Sequence, residues 1–200
     1  MLAERATRAG FERLPYSARE ASAVGALFAP ARRDLLLRQD ASEDRFRQAV
    51  AAHTYTYLLF SVHGIASERY PQFSSLVLGR PPASLHDGLL QVHEIYNLRL
   101  PSEVVVLSAC ETALGKDVQG EGLVGLTRAF LYAGARSVVA SLWRVADQST
   151  SELMTAFFQE RHQRRAGNAV ALQKAKLEML KKPGYSHPFY WAPFILTGNP

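Results

Sequence analysis

The 200-residue sequence contains a single cysteine. One thiol forms no intramolecular disulfide, so nothing covalent staples this fold, and a reducing compartment, the cytoplasm, is the setting it suits. No apolar run approaches the roughly 20 residues that a membrane-spanning helix requires, and no membrane partner is expected. The first residues, Met1-Leu2-Ala3-Glu4-Arg5-Ala6-Thr7-Arg8, lack the apolar stretch of a secretory signal. There is no internal repeat, linker or low-complexity segment. No Cys, His and Asp residues stand at metal-ligand spacing, so neither metal nor other cofactor is expected.

What is present is the composition of an ordinary globule, 48% hydrophobic and 20% charged. Net charge is +5 with a pI near 9.5. Yet the basic residues are scattered apart from Arg161-His162-Gln163-Arg164-Arg165 and Lys181-Lys182. The first group falls at a predicted helix end, where cations complement the helix dipole, and reads as a solvated end. Aromatic and basic residues do not interleave, so no specific nucleic acid is expected as a partner.

Residues 1–13 read as a loose lead-in and 14–200 as one α/β domain. Ser17 with Glu20 resembles a capping box opening a helix whose apolar stripe is Val24, Leu27 and Phe28, ended by Ala29-Pro30. A short strand is expected over Asp34–Arg38, and a second helix from Ser42 to Val50. The run Tyr55–Val62 reads as a strand that stops at His63-Gly64. Ser74–Gly79 reads as a short strand and Leu89–Tyr96 as a short helix. Glu103–Ala109 carries the unbroken apolar run Val104-Val105-Val106-Leu107, the mark of a strand buried on both faces. A polar loop, Gly115–Gly122, leads to a helix ending at Ala133-Gly134. Then follow a buried strand, Arg136–Trp143, and helices over Ser149–Arg161 and Asn168–Lys181. An apolar run, Phe189–Leu196, carries Pro193, which favours a sheet edge or a bulge. Strands alternating with helices imply right-handed crossovers and a mostly parallel sheet.

Two strand ends carry chemistry. Val104–Ala109 runs into Cys110, and Tyr55–Val62 into His63, 47 positions earlier. Residues at the carboxyl ends of neighbouring parallel strands share one crevice. An imidazole there can take the thiol proton, since the thiolate is the nucleophile, and can later protonate a leaving amine. The N–H groups of Cys110 and Gly64 are candidate donors to an oxyanion. The residues alone leave the bland alternative open: a small buried cysteine and an ordinary loop histidine. His53, His86 and His93 read as exposed, His162 as part of the basic helix end, and His187 as structural, in a turn before Pro188.

Longer stretches carry a family resemblance. Phe60-Ser61-Val62-His63-Gly64, Val105–Ala113, Gly120–Leu126, Ala133–Asp147 and His187–Phe194 closely resemble, in order, the CHAT domain. This is the caspase-like module often found after tetratricopeptide repeats. The resemblance implies a caspase-like three-layer α/β/α sandwich with a mostly parallel central sheet. It implies a cysteine endopeptidase with His63 as base and Cys110 as nucleophile, acting on a protein substrate. By similarity to the related separases, Asp147 would select a basic side chain before the scissile bond; its alternative is a cap on the helix from Gln148. Glu111, beside the nucleophile, would border the substrate or stand as an exposed loop acid. The family usually carries a further strand ahead of the Leu14-Pro15 region and often a repeat array, so a missing first strand and an open sheet edge are expected here. Regulation would then fall to a tetratricopeptide-repeat or sensor partner. Ser61-Val62 also replaces the more usual Ala-Thr before His-Gly. The reading from a different class is a non-catalytic pseudo-peptidase that binds protein through the same crevice.

Overall fold

The computed structural model describes residues 14–67, 69–108, 110–111, 121–143 and 146–200, with backbone alone at 110–111 and 121–123. The expected lead-in over 1–13 and most of the expected Gly115–Gly122 loop lie outside the described residues.

The apolar runs of the sequence become the middle of the molecule. In chain order the strands are β1 (Tyr57–Phe60), β2 (His63–Ile65), β3 (Ser75–Val77), β4 (Leu89–Gln91), β5 (Val104–Leu107), β6 (Cys110–Glu111), β7 (Ser137–Ser141) and β8 (Phe194–Gly198). The helices are α1 (Ser17–Gly25), α2 (Glu43–Ala52), α3 (Val92–Ile95), α4 (Glu121–Tyr132), α5 (Asp147–Phe158) and α6 (Asn168–Lys181). The central sheet has the order β1-β5-β7-β8; its first three strands are parallel and β8 closes the far edge antiparallel. β1 forms the other edge among the described residues.

Strand β5 shows why its sequence lacks the alternation of a half-exposed strand. Val105 and Leu107 join Phe46, Phe60, Ile95 and Phe130 in a core under α2, α3 and α4. Val104 and Val106 join Val24, Leu153, Met154 and Phe157 under α1, α5 and α6 on the other side. Both faces are covered, so every position is apolar and fully buried. This is the three-layer sandwich with a mostly parallel central sheet that the resemblance implies.

A second sheet, β4-β3-β2-β6, grows from the ends of β1 and β5. In it β2 pairs parallel with β6 and antiparallel with β3.

Several local expectations are corrected. Residues Asp34–Leu37 are extended but join no sheet, and a 3-10 turn follows at Arg38–Asp40. Three leucines in a row suggested a strand, but Leu35 lies exposed and no neighbouring strand supplies a ladder. Leu89–Tyr96 is split between β4 and α3, because Gln91 and Glu94 form a reciprocal capping box that starts the helix only at Val92. The strand Phe189–Leu196 begins later, at Phe194, after a 3-10 turn over Pro188–Tyr190; Pro193 sits just ahead of the edge strand, where its missing N–H costs no ladder bond. Gly198 in β8 has φ of +107°, and a Cβ there would stand 2.3 Å from the Arg136 carbonyl oxygen.

The basic group at Arg161–Arg165 is not a freely solvated end. α5 runs into a π-helical turn, Gln159–Gln163. There the Arg161 guanidinium bonds Glu103 and Asn168, while Arg164 and Lys174 both pair with buried Glu160.

Candidate active site

The first contribution to the site is register. β1 and β5 pair with Phe60 opposite Leu107, and after a break in each strand β2 and β6 pair with His63 opposite Cys110. Both pairs are 47 positions apart, so the two breaks skip the same number of residues and the ladder resumes unshifted. Adjacent strands stand roughly 5 Å apart. The histidine and the cysteine that the sequence singles out are therefore backbone neighbours, as are Gly64 and Glu111. The sequence reading stops the strand at His63-Gly64; the structure resumes a strand there, because β3 supplies a second partner, with His63 opposite Val77.

Asp147 is the first residue of α5, and Ala146 is the N-cap, so Asp147 does not cap its own helix as its alternative reading supposed. Its carboxylate accepts a hydrogen bond from the Tyr16 backbone N–H at 2.6 Å. Burial raises its pKa above the usual carboxylate range, opposed by that hydrogen bond and by the electrostatic influence of His63. The structure thus brings His63 together with Cys110 through the ladder, and sets His63 near enough to Asp147 to bear on its charge.

Glu20 carries no cap: Tyr16 is the N-cap of α1 and makes no side-chain capping bond, and the Ser17 hydroxyl donates to the Leu14 carbonyl at 2.9 Å. Glu20 is wholly buried instead. Ser61 Oγ donates to its Oε2 at 2.9 Å. A signal for this was in the sequence, since Glu20 lies one helical turn before Val24 on the inward stripe. The pKa of Glu20 is pushed up to about 7, first by burial; the hydroxyls of Ser108 and Ser61 oppose the rise and the charge of Asp147 adds to it.

That shift has a consequence for stability. The unfolded chain releases this proton near 4.5, whereas the folded chain keeps it to about pH 7. Stability contributed by the neutral buried carboxyl is thus complete below pH 4.5 and is lost as the pH rises through 7. Relative to Glu20→Gln, which has no proton to release, the wild type is expected to lose about 3 kcal/mol across that window. Urea unfolding of both proteins at pH 5 and pH 8 measures it; parallel losses in the two would show that Glu20 ionises as freely folded as unfolded.

The CHAT domain family model matches residues 2–199, and the chain belongs to that caspase-like family. Mouse and human tetratricopeptide repeat protein 28 are 37% and 35% identical to it over 119 residues, 60% of this chain. The chain matches about 5% of the length of each of those relatives. Among the described residues, no helix is long and apolar enough to cross a membrane.

Proposed function

We propose that the protein is a cysteine endopeptidase of CHAT type that cleaves protein substrates after a basic residue. The observation that carries this is the unshifted register, which sets His63 beside Cys110 at the carboxyl ends of two central strands. In the reaction His63 takes the thiol proton of Cys110, and the thiolate adds to the scissile carbonyl carbon. The N–H groups of Cys110 and Gly64 hold the resulting oxyanion. As the C–N bond breaks, imidazolium at His63 gives its proton to the leaving amine, and water then hydrolyses the thioester with His63 as base again. Asp147, drawn partly out of water at the start of α5, pairs with the substrate's arginine or lysine, and Glu111, next in the strand, borders the same crevice. The relatives' names point to tetratricopeptide repeats, and we assign control of the site to such a repeat or sensor partner. A thiol nucleophile that must stay reduced suits the cytoplasm.

The test is a peptide ending in arginine acyloxymethyl ketone, read by mass spectrometry. One label per chain is expected, on Cys110, with none on Cys110→Ala. Asp147→Ala should slow the arginine probe at least tenfold while leaving a leucine probe unchanged. Equal slowing of both probes would remove the specificity role. A wild type that takes no label, alone or with repeat-protein partners, would leave only the protein-binding reading.

A further inference from the structure

Three described glutamates are buried, and two of them are paired with cations. Glu43 accepts from Arg47 at 2.8 Å, and Glu160 bonds Arg164 and Lys174. Glu20 has no cation partner among the described residues. A buried carboxyl held only by hydroxyls is costly to keep in a core, and it sits where the strands break.

The placement is specific. Ser61 follows β1 and Ser108 follows β5, and they too are 47 positions apart, the register offset of the strands on either side of the break. The Ser108 backbone N–H donates to the Phe60 carbonyl at 2.9 Å, which ties the two breaks together. Ser61 lies two residues before His63, and Ser108 two before Cys110. Glu20 reaches both: Ser61 Oγ bonds its Oε2 at 2.9 Å, and the Ser108 hydroxyl lies close enough to favour the carboxylate. Neither Ser108 Oγ nor Glu20 Oε1, both buried, has a hydrogen bond of ordinary geometry. The clamp is therefore closed on the histidine side and open on the cysteine side.

We propose that Glu20 is a positioning residue of the active site, clamping Ser61 and Ser108 so that the strand ends bearing His63 and Cys110 are held at one spacing, with a grip that depends on its own charge. This rests on the His63–Cys110 reading above. The groups that act on the carboxyl are the hydroxyls of Ser61 and Ser108 from the strand ends and the carboxylate of Asp147 from α5. Below about pH 7 Glu20 is neutral. Above it, the carboxylate accepts from both serines and places a second negative charge near that of Asp147.

The test uses the chain's one cysteine. The rate of its alkylation by iodoacetamide is followed from pH 5.5 to 9.5, alongside each variant's thermal midpoint. Dividing the wild-type rate by that of Glu20→Gln removes the thiol's own rise with pH, and the ratio should show a step of at least threefold about a midpoint near pH 7. Glu20→Gln keeps the bridging shape and should keep the wild-type rate at pH 6 within about twofold, without the step. Glu20→Ala should lower the rate at least fivefold at every pH below 8, and Ser61→Ala should do so in part. Where Glu20→Ala fails to fold, Glu20→Gln and Ser61→Ala decide. A Glu20→Gln profile that superimposes on wild type overturns the proposal, since a merely structural carboxyl would leave no step to lose. Alkylation needs no peptidase activity. A wild type that shows the step but refuses the arginine probe would therefore sink the peptidase reading and leave the clamp standing.

Discussion

Replacing His63 by alanine is expected to slow labelling of Cys110 by the arginine ketone about thirtyfold at pH 7. An unassisted thiol, with pKa near 8.5, is only about 3% thiolate at that pH, so pairing with imidazole can raise the reactive fraction by no more than that factor. The difference should close by about pH 10, where the thiol is ionised with or without help. Cleavage of an arginyl amide should fall much further, by about a thousandfold or more, because the amine leaves only with a proton that His63 supplies. The ketone's carboxylate leaving group needs none. Comparing the two substrates therefore separates thiol activation from protonation of the leaving group. Equal losses on both would assign His63 a single role, and no loss on either would remove it from the chemistry. The register supports the full effect, since His63 and Cys110 are ladder partners rather than residues on separate loops.

The largest stability effect is expected from Phe130→Ala, at about 3–5 kcal/mol. Phe130 is fully buried on α4, its ring 5.4 Å from that of Phe60, which in turn lies 5.2 Å from Phe46. The three rings join α4 and α2 to the end of β1, next to Ser61. Truncation leaves a cavity between helix and sheet that a rigid strand cannot close, which places the cost toward the upper end of the range. Tyr132, on the same helix but 75% exposed, provides the control, and Tyr132→Ala should change stability by less than about 0.5 kcal/mol. Guanidinium unfolding of the three proteins measures both. A small loss at Phe130 would mean that the α4 layer folds onto the sheet weakly.

How far the sequence foretells this structure depends on the kind of interaction. Val104–Leu107 and Ser137–Ser141 are legible because strands covered on both faces admit almost nothing but apolar residues. Asn168–Lys181 is legible to the residue because a three-sided pattern of Leu172, Ala175 and Met179 admits one helical face and Pro183-Gly184 stops it. His63 and Cys110 were legible as strand ends, but their pairing was not, because register is a property of two strands and only the folded ladder displays it. Glu20 was obscured by a local pattern that competes with burial: Ser, two residues, then Glu at a helix start is the form of a capping box. Here the glutamate turns inward because Ser61 and Ser108 offer it hydroxyls where β1 and β5 end. Asp34–Leu37 failed for the opposite reason, since its leucines suit a strand and no strand lies beside it.

The equal gaps between β1 and β2 and between β5 and β6 act as a matched pair of spacers. Segments such as 66–74 and 78–88 lie outside the β1/β5 and β2/β6 pairings, so changes in their length leave His63 and Cys110 in register. One residue gained or lost in a single gap would slide His63 to a neighbour of Cys110 and turn it to the opposite side of its strand. The same change made in both gaps at once would preserve the pairing but lift it away from Glu20. Length variation in descendants of this chain is thus free in the loops, forbidden in either gap alone, and costly even when the gaps change together.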